Sequence, residues 1–179
     1  MTINIRLATL DDIPDLQTLI VDSVRALSAG YYTDRQITSA LSYIFGVDTQ
    51  LIIDGTYFVA EVSGQIVGAG GWSKRSTLFG GDQFKAERAD PLLNPATDPA
   101  RVRAFYVHPE WSRRGIGRRI LAECENAVRA AGFTRIELMA TLPGEPLYSV
   151  MGYRRVKPAV VKMPDGESIS GFLMEKHLP

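Results

Sequence analysis

Apolar and polar positions alternate over residues 2–8 (TINIRLA), the period-two pattern of a strand with one buried face. The period then changes. Ile13, Leu16, Leu19, Ile20, Val24 and Leu27 recur at three- and four-residue spacing, which predicts an amphipathic helix capped by Asp11 or Asp12 and ended by Gly30. Thr33 with Gln36 three residues on has the form of a capping box and predicts a second helix to about Phe45. Residues 57–62 (YFVAEV) and 65–72 (QIVGAGGW) flank Ser63 and Gly64 and read as a β-hairpin. A strand at 101–107 (RVRAFYV) leads into a helix over 115–131, whose buried stripe is Ile116, Ile120, Leu121, Cys124, Val128 and Ala131. A strand at 134–140, a short helix at 146–151, and strands at 153–163 and 168–177 joined through Pro164–Gly166 follow.

This order predicts a single α/β domain over 1–179: a mixed sheet of about seven strands with helices on both faces. Residues 73–99 show neither period and hold prolines, adjacent glycines and scattered charges. They read as a long loop, of a length that in compact domains usually serves function.

Composition narrows the chemistry. Lys and Arg number 20 and so do Asp and Glu, so no whole-molecule field recruits nucleic acid or an anionic membrane. Anion binding must come from a local cluster. One cysteine and two histidines leave no disulfide and too few ligands for a Cys- or His-based metal site. Cys124 lies on the apolar stripe and reads as a small buried hydrophobe. The start MTINIRLATLDD holds no apolar leader and no apolar run reaches membrane-spanning length, so the expected compartment is the cytoplasm.

The local cluster lies where strand 101–107 enters helix 115–131: Trp111-Ser112-Arg113-Arg114-Gly115-Ile116-Gly117-Arg118-Arg119. A helix start carries unpaired N–H groups and a partial positive charge. Glycines let that backbone curl closely around a ligand, which makes a pyrophosphate cradle. Four arginines are unfavourable beside that dipole unless a bound phosphate reverses the sign. The Walker pattern is absent. The dinucleotide fingerprint G-x-G-x-x-G fails because Ile120 stands at its third glycine, although Glu137 lies where a ribose-binding acid would.

The run from Val107 to Leu121 (VHPEWSRRGIGRRIL) resembles motif A of the GNAT N-acetyltransferase superfamily, Q/R-x-x-G-x-G/A after a strand and into a helix. Gly115 and Gly117 fill the small positions, and Ser112 stands where Gln or Arg is usual, with Arg113 or Arg114 as substitutes. Leu147-Tyr148-Ser149-Val150-Met151-Gly152-Tyr153 resembles the family's F-Y-x-x-x-G-F, after the next strand. The element order along nearly the whole chain agrees with the GNAT fold.

The resemblance implies acetyl-CoA as cosubstrate, no metal, and a small-molecule or peptide amine as acceptor, attacked directly in a ternary complex. It places the pantetheine arm beside Ala104–Val107, with Tyr106 and Val107 as cofactor contacts and the Val107 N–H polarising the acetyl carbonyl. Ser112, Arg113, Arg114, Gly115, Ile116, Gly117 and Arg118 would hold the pyrophosphate. Tyr148 would contact the cofactor and act as general acid to the departing CoA sulfur. Tyr106, His108, Asp82 and Glu61 stay open as the base. Trp72, Phe79 and Asp82 are the expected acceptor contacts, with the 73–99 loop as a lid. Asp82, Glu87 and Asp90 lean towards a cationic amine, offset by Lys85 and Arg88. Homodimerisation is common in the family. The competing readings are a non-catalytic CoA sensor and a nicotinamide-dependent oxidoreductase.

Overall fold

The computed structural model describes residues 2–85 and 89–179. The strands are β1 (Asn4–Leu7), β2 (Tyr57–Val62), β3 (Gln65–Ser73), β4 (Ala100–Val107), β5 (Arg135–Thr141), β6 (Arg154–Lys162) and β7 (Ser168–His177). The helices are α1 (Ile13–Leu27), α2 (Asp34–Tyr43), α3 (Thr49–Ile53), α4 (Asp82–Lys85), α5 (Ile116–Ala130) and α6 (Glu145–Val150). The expected mixed seven-stranded sheet is present in the order β1-β2-β3-β4-β5-β7-β6. Every neighbouring pair is antiparallel except β4 with β5. The last strand, β7, inserts between β5 and β6, a crossing that hydrophobic period does not encode.

Helices cover both faces. α5 packs on one, over a core of Val67, Val102, Ile116, Ile120, Leu121, Cys124 and Ile136. α1 and α2 pack on the other, over Leu16, Ile20, Ile37, Ile44, Leu51, Tyr57 and Val59. Cys124 is fully buried, as its place on the stripe requires.

Two details depart from the sequence reading. Asp12 does not cap α1 with its side chain; its carboxylate reaches back to the Thr9 N–H at 2.7 Å and pairs with Arg6 at 2.8 Å. By contrast the Thr33–Gln36 capping box of α2 forms in both directions, at 3.2 and 2.9 Å. The 73–99 segment is not structureless. It carries α4 and is sewn to the residues before and within α3: Gly81 N–H donates to Ile44 O (2.8 Å), Asp82 N–H to Val47 O (3.0 Å), and the Asp82 carboxylate accepts the Thr49 N–H (3.0 Å). Asp48, wholly buried, accepts from both Lys85 of α4 and Arg103 of β4. Glu87 and Arg88 lie outside the described residues.

The central strand carries one irregularity that organises everything after it. Ala104 has φ of 59°, and the β3–β4 register shifts between Ala69 and Gly71. An L-residue in that region is strained by about 1–2 kcal/mol. The fully buried Tyr57 donates its O–H to the Ala104 carbonyl at 3.0 Å and holds the bulge.

Candidate functional site

β4 and β5 pair only at Ala100–Ile136 and Arg101–Glu137, although both strands continue for several residues. Beyond the Ala104 bulge they part. The consequence is visible in burial: Ala100, Val102 and Arg103 are buried, whereas Ala104, Phe105, Tyr106 and Val107 are all half-buried in the middle of a sheet covered on both faces. A slot therefore opens beside the C-terminal half of β4.

Tyr148 stands at this slot. Its ring meets Phe105 edge-on (centroids 6.1 Å apart) and Tyr153 likewise (5.8 Å). A side chain at Gly70 would lie 2.7 Å from the Phe105 ring, so glycine there is what lets the ring lie flat on β3. Burial, with Cys124 and Tyr106 nearby, pushes the Tyr148 phenol well above its usual pKa, so it keeps its proton across the neutral range. Among the described residues its hydroxyl has no hydrogen-bond partner, which leaves it a donor to spare.

At the end of β4 the His108 N–H bonds Val67 O of β3 at 2.9 Å, so by strand alternation the Val107 N–H faces away from β3. It is not free: Ser23 Oγ of α1 accepts it at 3.2 Å. Ser23 is buried and was not among the expected site residues. The available signal was a hydroxyl on the stripe that carries Leu16, Leu19, Ile20, Val24 and Leu27.

The chain then turns through Pro109–Trp111 and two left-handed residues, Arg113 (φ 64°) and Gly115 (φ 82°), into α5. A Cβ at Gly115 would meet nothing within 4 Å, so glycine is required there by its backbone angle, and the space beside it is open. Arg113, Arg114, Arg118 and Arg119 are exposed, the first turn of α5 holds no acid, and none of the four pairs with a carboxylate among the described residues. Arg114 lies over the Trp111 ring (4.9 Å), and Arg119 donates to Ile3 O (3.1 Å). The arginines and glycines grouped in the sequence thus stand together at the start of α5, exposed and without carboxylate partners among the described residues. Two members serve packing as well. The Ile116 side chain is core, and a Cβ on Gly117 would come within 3.0 Å of Leu147, so this glycine lets α6 approach α5.

The acceptor residues divide. Trp72 must be withdrawn: it is buried against Phe133 (6.2 Å) on the α5 face, across the sheet from Phe79. Asp82 is engaged as the cap of α3, and Asp90 accepts the Thr77 N–H at 2.8 Å. Phe79 is half-buried beside Phe84 (4.9 Å) on the same face as Tyr106. Of the base candidates, Glu61 is bound to Arg6 (2.8 Å), which lowers its pKa, and His108 accepts the Glu110 N–H on Nδ1 (3.3 Å). Burial and the nearby Asp48 raise the Tyr106 phenol well above its usual pKa, which makes it a poor base.

The mixed sheet thus parts at its β4–β5 pair just before an arginine-rich helix start. Ile120 is buried at the third glycine position of the dinucleotide pattern, and Glu137, placed where a ribose-binding acid would stand, is bound to Arg101 at 2.6 Å. A family model for the acetyltransferase (GNAT) domain matches residues 54–155, and the chain belongs to the GNAT acetyltransferase family. Comparison with curated proteins yields no match. Among solved structures, a GCN5-related N-acetyltransferase from Rhodopseudomonas palustris is similar at TM-score 0.74 and 19% identity, over 99% of this chain and 97% of that one. PaiA N-acetyltransferase from Thermoplasma acidophilum, solved with coenzyme A, gives 0.65 and 16% over 99% of each chain. The yncA protein of Salmonella typhimurium, solved with its cofactor acetyl-CoA, gives 0.65 and 16% over 100% of this chain and 95% of that one. Among the described residues, no helix is long and apolar enough to cross a membrane, and no group of three or more His, Cys, Asp or Glu side chains is placed to hold a metal.

Proposed function

We propose that this chain transfers the acetyl group of acetyl-CoA to a primary amine by direct attack in a ternary complex. The observation that carries the reading is the slot between β4 and β5 leading to four arginines without counter-carboxylates at the start of α5. Arg113, Arg114 and Arg118, with the N–H groups that follow Gly115, hold the pyrophosphate. Residues Ala104–Val107 offer backbone to the pantetheine arm along the slot. The Val107 N–H then polarises the acetyl carbonyl, at the cost of its long bond to Ser23, about 1 kcal/mol. Such a donor is worth ~3 kcal/mol to an oxyanion in a water-poor site. Tyr148 donates its proton towards the departing sulfur, and its Phe105 and Tyr153 contacts hold the ring in place.

The first test is thermal unfolding with acetyl-CoA, CoA, NAD⁺ and NADP⁺. A ligand at ~100 times its Kd adds ~2.7 kcal/mol of stability, several degrees for a domain of this size. Stabilisation by acetyl-CoA and CoA alone, followed by amine-dependent CoA release, is the expected result. Stabilisation by a nicotinamide nucleotide, or by none, refutes it. Binding of acetyl-CoA with no turnover on any amine would favour a sensor.

A further inference from the structure

Where β5 leaves β4, one backbone donor of the strand edge is met by a helix instead of a strand. The Val107 N–H points away from β3, and Ser23 Oγ of α1 accepts it at 3.2 Å. Ser23 is 4% exposed and stands among Leu16, Leu19, Ile20 and Val24, so every other buried member of the helix is apolar. A hydroxyl in such a place is costly unless its hydrogen bonds are made. This one makes half of them. Its oxygen accepts, at a long distance, and among the described residues its O–H donates to nothing.

The common outlet for a helical hydroxyl is the carbonyl one turn back. Two others in this protein use it: Thr18 donates to Pro14 O (3.3 Å) and Ser42 to Thr38 O (3.1 Å). Both are exposed, whereas the buried Ser23 has no such bond. Its neighbours on the helix take other directions, Asp22 lining the cavities beside His108 and Val24 entering the core. A buried hydroxyl is thus set against the one N–H expected to polarise the acetyl carbonyl, with its own proton uncommitted.

Ser23 Oγ stands in front of the Val107 N–H, where the acetyl oxygen must go. From this we infer that Ser23 is a second donor to that oxygen: it yields the Val107 N–H and turns its own hydroxyl onto the carbonyl. This rests on the acetyltransferase reading and deepens it. The motion is one rotamer step of a side chain with a single heavy-atom torsion, which carries Oγ about 2.3 Å from its first place. An oxygen held by Val107 is then close to the range of an O–H···O bond, roughly 2.5–3.0 Å. As the amine nitrogen bonds the acetyl carbon, the carbonyl pair moves onto oxygen, between the Val107 N–H and the Ser23 O–H. The pair returns as the C–S bond breaks. The sulfur leaves with its electrons and takes the Tyr148 proton, the nitrogen releases a proton to solvent, and the phenol is reprotonated from solvent. Donors aimed at developing charge count most where water is excluded. Before that, the same hydroxyl keeps a strand-edge N–H from lying unpaired in the interior.

The test is the carbonyl stretch of acetyl-CoA labelled with carbon-13 at the carbonyl, read by isotope-edited infrared spectroscopy on the protein, with calorimetric Kd values for acetyl-CoA and CoA. Binding to the wild-type protein should lower the frequency, and Ser23→Ala should lose about half of that shift, one donor of two. Ser23→Cys, which fills the volume with a weak donor, should follow alanine, and Ser23→Thr should follow serine. The Kd for CoA, which has no acetyl oxygen, should stay within about twofold in all three. With the amine that gives the fastest CoA release in the wild-type protein, single-turnover transfer should fall at least about tenfold in Ser23→Ala. An undiminished shift in Ser23→Ala overturns the inference, leaving Ser23 a mask for the N–H, as does a variant that weakens CoA and acetyl-CoA alike. Both outcomes leave the acetyltransferase reading standing. A wild-type protein that binds neither ligand removes that reading and this inference with it.

Discussion

Replacing Tyr57 by Phe removes one oxygen atom, and the structure gives that atom a large task. The phenol is buried to 1% exposure and donates to Ala104 O at 3.0 Å. Deleting the donor leaves a buried carbonyl unsatisfied, a loss of about 1–3 kcal/mol. It also leaves Ala104 in a left-handed conformation strained by about 1–2 kcal/mol, with its main restraint gone. If the residue relaxes to extended backbone, β3 and β4 return to one register and residues after 104 exchange which edge of the strand they face. The Val107 N–H would then turn towards β3 and the slot would narrow. We therefore expect Tyr57→Phe to lose about 1–3 kcal/mol in urea unfolding and to bind acetyl-CoA about tenfold more weakly by calorimetry, a difference of ~1.4 kcal/mol. The decisive variant is Tyr57→Phe with Ala104→Gly. Glycine adopts positive φ without the Cβ penalty, so the double substitution should recover most of the cofactor affinity. An unchanged acetyl-CoA affinity in Tyr57→Phe, with stability lowered as expected, would refute the claim that the bulge sets the slot.

Four further outcomes are expected. Arg113→Gln with Arg118→Gln should raise the Kd for acetyl-CoA about tenfold, ~1.4 kcal/mol, and flatten its dependence on salt; an unchanged salt slope would remove the cradle. Tyr148→Phe should lower kcat at least about tenfold with acetyl-CoA affinity retained, and an unchanged kcat in single turnover would exclude the phenol from the chemistry. Because the Tyr148 and Tyr106 phenols are both raised, kcat/KM for the amine should climb with pH along the ionisation of the amine itself, and a second enzyme limb between pH 5 and 8, outside both phenols' range, would point to an unrecognised base. Asp12 is held at a pKa of about 2, against an ordinary 3.8, chiefly by its hydrogen bonds from Arg6. A depressed carboxyl contributes stability above its unfolded value and loses it as pH falls towards the folded one. The acid limb of Tm between about pH 4 and 2 should therefore be shallower in Asp12→Asn.

What could be read from the chain follows the range of the forces involved. The strands, α1, α2 and α5 arise from periodic burial, and the Thr33 and Gly115 signals are local backbone chemistry; each stands where its residues predict. The arginine cluster was legible for the same reason, since Arg113, Arg114, Arg118 and Arg119 lie within seven residues of one helix start. Trp72 was misplaced because a nine-residue strand buried on both faces does not reveal which side of the sheet a large ring takes. Asp82, Asp90 and Glu61 looked free because their partners, Thr49, Thr77 and Arg6, are distant in the chain. α3 and α4 are too short to show a period. Ser23, Tyr57 and Arg103 acquire their roles only when α1, β2 and the insertion close around the Ala104 bulge.

The Asp48–Lys85–Arg103 cluster also bears on how this domain can vary. It joins three stretches that are separate in the chain: the turn before α3, the insertion between β3 and β4, and the central strand itself. Removing one partner of a buried ion pair typically costs about 3–5 kcal/mol, because the other charge is left stranded in the interior. A foreign β3–β4 insertion grafted onto this body would therefore strand Asp48 or Arg103 unless it brought its own lysine at the place of Lys85. Drift at these three positions is expected to be concerted, with all three ions kept together or all three exchanged for apolar residues. The insertion is thus inherited together with the strand it overlies.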